Sequence, residues 1–319
     1  MIVKSGESRQ DTLRSGTYDG ITFIANIQAA AADTALAASD FKPGSVSVKT
    51  LLKRNNKTHV VFQDTLLLLG TFNSVLKGYH EFVNGIDKVY KASGVKAVKL
   101  RPVTLKFGSP LRINPGDELF IEVTPAQSGT WGANADAGAS YIEFYANPCV
   151  GYEVGVPSTV AEVIQANASK QSFNPGNGIT DIAILNFDKD KLDSEVVSNL
   201  QLASDRLDLN LTFNQLLAHH LQQYDNMPAW RTGTTLPTTL AGQDVFRGLD
   251  FIPQTYVLTK NIELAQVRLD ISFNSANVAS SQNYIVYRQI VTDKKTIVES
   301  IERQQKHVKE NFNALPQTV

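Results

Sequence analysis

Leu119, Ile121 and Val123 are apolar at every second position, and Val267, Leu269, Ile271 and Phe273 repeat that period far down the chain. Leu207, Leu209, Leu211 and Phe213 do the same. A strand sends successive side chains to opposite faces, so these runs predict strands with one face on a core. VSVKTLLK from Val46 and THVVFQ from Thr58 flank the polar turn Arg54-Asn55-Asn56-Lys57 and predict a hairpin. The turn Asn114-Pro115-Gly116-Asp117 introduces the Leu119 strand.

Helical spacing is rarer. After Thr71 it is carried by Phe72, Val75, Leu76, Tyr79, Phe82, Val83 and Ile86. After Thr212 it is carried by Phe213, Leu216, Leu217, His220, Leu221 and Tyr224. Thr71 or Asn73, and Thr212 or Asn214, are the expected caps of the two helix starts. A third helix is predicted from Asp293 to Phe312, with Ile297, Ile301, Val308 and Phe312 on one side. That side packs either on its own barrel or on a neighbouring subunit.

The two capped segments, TFNSVL and TFNQLL, belong to a longer series of echoes. GITFIANIQ at Gly20 answers GITDIAILN at Gly178, and IEVT at Ile121 answers LDIS at Leu269. SYIEFY, containing Tyr141, answers NYIVYR, containing Tyr284. All four pairs keep one order, at offsets of roughly 140 to 160 residues, longer than solenoid or propeller periods. The expectation is a duplicated, mainly β domain: two consecutive jelly-roll (β-sandwich or barrel) domains with inserted short helices and a C-terminal helix. They span residues 1–150 and 157–319, parted by the glycine- and proline-bearing CVGYEVGVPST.

Composition narrows the function. With 42% hydrophobic and 19% charged residues in 319, the chain has ample material for two cores and is no disordered polymer. A formal net charge of −1 and the lack of a Lys/Arg block speak against a nucleic-acid groove or a surface for anionic lipid. Cys149 is the only cysteine, which excludes an intrachain disulfide and a cysteine-built metal cluster. It is expected to be a buried, inert thiol. No signal-peptide core opens the chain and no apolar run reaches membrane-spanning length, so synthesis and folding in a cytoplasm are expected.

Candidate chemistry is sparse. His59, His80, His219, His220 and His307 form neither HxH nor HExxH, and adjacent His219 and His220 point to different helix faces. Neither a GxSxG elbow nor a P-loop occurs, so no enzyme is expected. Asp188, Asp190 and Asp193 crowd oxygen ligands into one loop and would suit calcium, although interleaved Lys189 and Lys191 point to a solvated acidic loop instead. No other cofactor is expected. Trp131, in SGTWGANADAGAS, is either an exposed sugar-stacking or contact residue or a local packing anchor. The run NIQAAAADTALAA from Asn26 is either a short helix or a close-packed contact.

Two similar β-rich halves, inserted helices, balanced charge and no catalytic signature together resemble the double jelly-roll major capsid proteins of tailless icosahedral viruses. The likeness is to those of membrane-containing bacteriophages of the corticovirus, tectivirus and finnlakevirus types. The resemblance covers the whole chain and rests on architecture, without a diagnostic motif. It implies a homotrimer whose six barrels form a pseudo-hexagonal capsomer of an icosahedral shell. It implies as partners neighbouring capsomers, minor capsid or spike proteins and an internal viral membrane, with no direct nucleic-acid contact. It places the protein in the virion after assembly in the host cytoplasm. Trp131 and the apolar side of the C-terminal helix are then assembly contacts. The rival readings are a viral spike or lectin-like receptor-binding protein built of two β-sandwiches, and an enzyme on a bicupin-like barrel, which the histidine spacing opposes.

Overall fold

The alternating segments pair into four antiparallel sheets. The computed structural model describes residues 1–31, 34, 36, 40–77, 86–92, 95–100, 102–164, 169–186, 197–212, 215, 256–273 and 283–292. The first part of the chain forms β1 (Ile2–Val3), β2 (Arg9–Leu13), β3 (Gly16–Gln28), β4 (Val46–Arg54) and β5 (Lys57–Thr65). Helix α1 (Leu66–Lys77) and the hairpin β6 (Ile86–Ala92) and β7 (Val95–Lys99) follow. β8 (Val103–Ile113), β9 (Glu118–Pro125) and β10 (Tyr141–Pro148) complete this part. After it come β11 (Val156–Val163), β12 (Lys170–Gly176), β13 (Ile179–Asn186), β14 (Val197–Ala203) and β15 (Asp208–Thr212). β16 (Tyr256–Thr259), β17 (Val267–Phe273) and β18 (Asn283–Val291) end the described strands.

The strand order recurs. One sheet of the first barrel runs β1-β10-β3, with β8 paired to the early part of β3 and the β7-β6 hairpin to its end. The facing sheet runs β2-β9-β4-β5. The second barrel repeats both layouts as β11-β18-β13-β16 and β12-β17-β14-β15. Each barrel is therefore a jelly roll of two facing antiparallel sheets, and the chain is mainly β. The expected alternation is seen in the packing: Leu119, Ile121, Val123, Val267, Leu269, Ile271 and Phe273 are all buried. The Val46 hairpin closes on Asn55 (φ 51°) and Asn56 (φ 60°), a left-handed pair suited to strand twist. The Asn114–Asp117 turn instead carries the chain from one sheet to the other, because β8 and β9 belong to different sheets.

Three of the four sequence echoes fall on equivalent strands. GITFIANIQ lies in β3 and GITDIAILN in β13; IEVT lies in β9 and LDIS in β17; Tyr141 opens β10 and Tyr284 sits near the start of β18. The fourth echo misleads. Thr71 does not start a helix, because α1 begins at Leu66, and Thr71 and Asn73 are buried within it. The cap lies earlier: Thr65 Oγ1 accepts the Leu68 N–H at 3.3 Å. Thr212 accepts the Gln215 N–H at 3.4 Å while Gln215 Oε1 accepts the Thr212 N–H at 2.9 Å, the reciprocal pattern of a capping box, and the rest of the helix expected after it lies outside the described residues. Thr212 thus corresponds to Thr65, each the last residue of its strand. The four-leucine run Leu66–Leu69 hides this start, since four consecutive apolar residues fit strand and helix equally.

The alanine run is not helical where it is described. β3 extends through Gln28, Ala29 bridges to Ala135, and Ala30 N–H donates to Asn134 O at 2.9 Å. Among the described residues, no helix is long and apolar enough to cross a membrane.

Candidate functional site

The place where the two barrels meet brings together a buried ion pair, a cation–aromatic contact and a cleft. Its framework is helix α1, inserted between β5 and β8. Leu66, Leu69, Phe72 and Leu76 recur at helical spacing and are buried, with Leu68 beside them. The helix also touches β13 and β16 of the second barrel. Strand β13 explains why. Ile182 and Ile184 face the second barrel's own core, whereas Ala183 and Leu185 join the core cluster of the first. Val257 on β16 and Val286 on β18 do the same. A sheet covered on both faces needs apolar side chains at successive positions, and ITDIAILN supplies that near-continuous run. Each fully buried Leu or Val here contributes roughly 1.5–3 kcal/mol relative to exposure.

Polar groups complete the junction. Arg288 of β18 donates from Nη1 to Asp181 Oδ2 at 2.9 Å, and their side chains are 9% and 2% exposed. Asp181 also accepts the Asn261 N–H at Oδ1 and the Thr180 hydroxyl at Oδ2, both at 2.9 Å. The guanidinium carbon lies 5.7 Å from the centre of the Phe72 ring, so a cation of the second barrel sits on an aromatic face of the first. Burial pulls the Arg288 guanidinium below its ordinary value, with Asp181 offsetting part of the loss. It remains charged at neutral pH. Asn73 Nδ2 donates to Thr104 O at 2.6 Å, fastening α1 to β8. Gly108 of β8, at φ 77°, leaves room for the Arg288 stem, which a Cβ there would meet at 3.2 Å.

A second cluster holds the connecting segment. Arg54, at the end of β4, donates from Nε to Asp117 Oδ2 at 2.9 Å and from Nη1 to Glu153 Oε1. Its Nη2 donates to Arg112 O, and Glu153 Oε2 accepts the Arg112 N–H at 3.3 Å. Burial works against the Arg54 charge, but Glu153 and then Asp117 more than offset it and hold the group above its ordinary value. Two glycines add close contacts: a Cβ on Gly151 would lie 2.5 Å from Pro110, and one on Gly155 2.6 Å from Val291 O. The segment is therefore pinned at Gly151, Glu153 and Gly155, while Val150 before them and Tyr152 and Val154 between them are exposed.

Of the residues singled out by sequence, Trp131 is placed differently from an exposed contact. It is 8% exposed, bridges Phe41 and packs against its ring in a tilted arrangement, 5.2 Å between centroids. It packs against Phe41 as an anchor for its loop. Asp188, Asp190, Asp193, Ile297, Ile301, Val308 and Phe312 lie outside the described residues, as do His80, His219, His220 and His307. Among the described residues no three His, Cys, Asp or Glu side chains converge as metal ligands do. Cys149 is half-buried, its thiol pushed up by burial and by nearby Asp19. Sequence reasoning missed Arg54, Asp117, Asp181 and Arg288, whose partners lie far apart in the chain. Glu153 did leave a signal, as the one charge in CVGYEVGVPST.

No family model and no curated protein matches the chain. Solved structures do. The chain is similar to one in the atomic structure of Sulfolobus turreted icosahedral virus, at 10% identity and a TM-score of 0.53, over 96% of each chain. It is also similar to the STIV MCP at 11% identity, covering 90% of this chain and 92% of that one, with a TM-score of 0.47. For the mavirus major capsid protein the values are 10%, 89%, 83% and 0.30. The first shows a shared fold over the full length, and the other two have scores too low to add to it.

Proposed function

We propose that this protein is the major capsid subunit of a tailless icosahedral virus. The observation that carries the reading is the repeated sheet order, β1-β10-β3-β8 with β2-β9-β4-β5 and β11-β18-β13-β16 with β12-β17-β14-β15, in a chain whose fold is shared end to end with one from an icosahedral virion. Two barrels locked at one rigid junction give a three-subunit object six similar lobes, which fill a sixfold lattice position. In this reading the barrels comprise residues 1–150 and 157–319, and the subunit is structural and performs no catalysis. The virion is of the membrane-containing bacteriophage type, with neighbouring capsomers, minor capsid or spike proteins and an internal membrane as partners. The genome touches no part of this chain. The spike or lectin alternative draws no support from Trp131, which is buried.

Native mass spectrometry and negative-stain microscopy of the purified protein test the proposal. Trimers with a pseudo-hexagonal outline are expected. A strict monomer at high concentration, with no lattice in particle preparations, overturns it. Residues 293–319 supply contacts beyond the second barrel, through Ile297, Ile301, Val308 and Phe312. Deleting them is expected to leave the circular dichroism spectrum and melting temperature close to those of the full chain while particle yield falls.

A further inference from the structure

Lys106 of β8 and Lys260, just after β16, both line a cleft of roughly 370 Å³ at the barrel junction. Arg288, Asp181, Asn261 and Leu76 also line it. We propose that this cleft binds a free phosphate-type dianion held between the two lysines. The inference is independent of the capsid reading, because it concerns the soluble chain.

Charge in the cleft is unbalanced. Among the described residues it gathers three cationic side chains against one carboxylate. The carboxylate is already committed, since Asp181 Oδ2 takes Arg288 and Thr180 and Oδ1 takes the Asn261 N–H. It cannot turn toward the lysines without abandoning a buried guanidinium, a costly exchange. Lys106 and Lys260 make no ion pair among the described residues. Arg288 is itself 8% exposed, and its Nε is buried without a hydrogen-bond partner, so its charge is compensated on one edge only. The surplus among the described residues is two positive charges, which a dianion matches. Ammonium groups suit it because each offers three donors with no fixed plane.

Size and surroundings select among oxyanions. The volume exceeds that of one water and admits a tetrahedral ion with part of its hydration shell. The formal net charge of −1 gives the molecule no long-range attraction for a polyanion, so the local surplus favours a small ion over nucleic acid or an anionic bilayer. One lysine comes from each barrel, so the bound ion ties the barrels together and binding appears as resistance to unfolding.

Thermal melting of the full chain in inorganic phosphate, against sodium chloride of equal ionic strength, tests this. The expected result is a saturable rise in melting temperature specific to phosphate. In Lys106→Gln/Lys260→Gln the rise disappears or needs at least roughly tenfold more phosphate, a loss of about 1.4 kcal/mol. Both lysines are exposed, and the unliganded variant is expected to retain the wild-type circular dichroism spectrum. Phosphorus NMR gives a second readout, with line broadening of phosphate by the wild type that the variant relieves. Equal shifts in both proteins, or no effect beyond chloride, overturn the proposal. Lysine-dependent sedimentation with phosphatidylglycerol vesicles, without an effect of free phosphate, overturns the free-ion assignment.

Discussion

Arg288 is the residue on which both barrels converge: it pairs with Asp181 on its own sheet and rests on Phe72 of the first barrel. Arg288→Met leaves the Asp181 carboxylate buried without its cation, and stability is expected to fall by about 3–5 kcal/mol in chemical denaturation. Adding Asp181→Asn removes the stranded charge and is expected to recover much of the loss, a coupling that a double-mutant cycle reads directly. Asp270 offers a test by pH. Burial raises its carboxyl, but hydrogen bonds from Ser172, Lys170 and Arg268 win and hold it below the ordinary range. The unfolded chain then binds this proton more readily than the folded one. The contribution is fully present above the usual aspartate value of about 3.9 and is lost as pH falls through the lowered folded value. Asp270→Asn is expected to flatten the acid limb of the stability–pH curve.

At the level of elements, the end of β5 sets where α1 begins. Thr65→Ala and Thr212→Ala are each expected to cost about 1 kcal/mol through loss of a cap, measured by chemical denaturation. Thr71→Ser, inside α1, should leave the helix onset unchanged. The sequence showed the strands well because β9 and β17 each have one face on a core, so period two survives in the text. It showed α1 poorly, since Leu66–Leu69 carry no periodicity and TFN in α1 is buried rather than capping. The junction was hidden for a different reason. A strand buried on both faces reads only as a hydrophobic run, and nothing in ITDIAILN says that Ala183 and Leu185 meet another domain. Arg288 and Asp181 stand 107 residues apart, and only the pairing of β13 with β18 brings them together.

For the whole molecule, the shared face makes two jelly rolls into one unit. Neither barrel can be removed without baring apolar surface: Leu185, Val257 and Val286 on one side, the outer side of α1 on the other. The full chain is therefore expected to unfold in a single calorimetric transition, with calorimetric and van't Hoff enthalpies in agreement. Two resolved transitions would show that the junction is too weak to couple the barrels. Expressed alone, residues 1–150 are expected to aggregate, and co-expressed residues 151–319 to restore solubility.

The insertion of α1 into the first barrel, against a sheet of the second, also has a consequence for synthesis. A ribosome delivers Lys77 long before Val291, the end of the β18 strand that completes the facing sheet. At typical elongation rates of about 5–20 residues per second, the interval is roughly 10–40 seconds. Throughout it, the nascent first barrel presents its outer helix face to every other chain on the same polysome. On the capsid reading proposed above, bulk synthesis places many such chains side by side. Codon usage that slows the stretch between β10 and β18 is then expected to lower the soluble yield, and faster synonymous codons there to raise it.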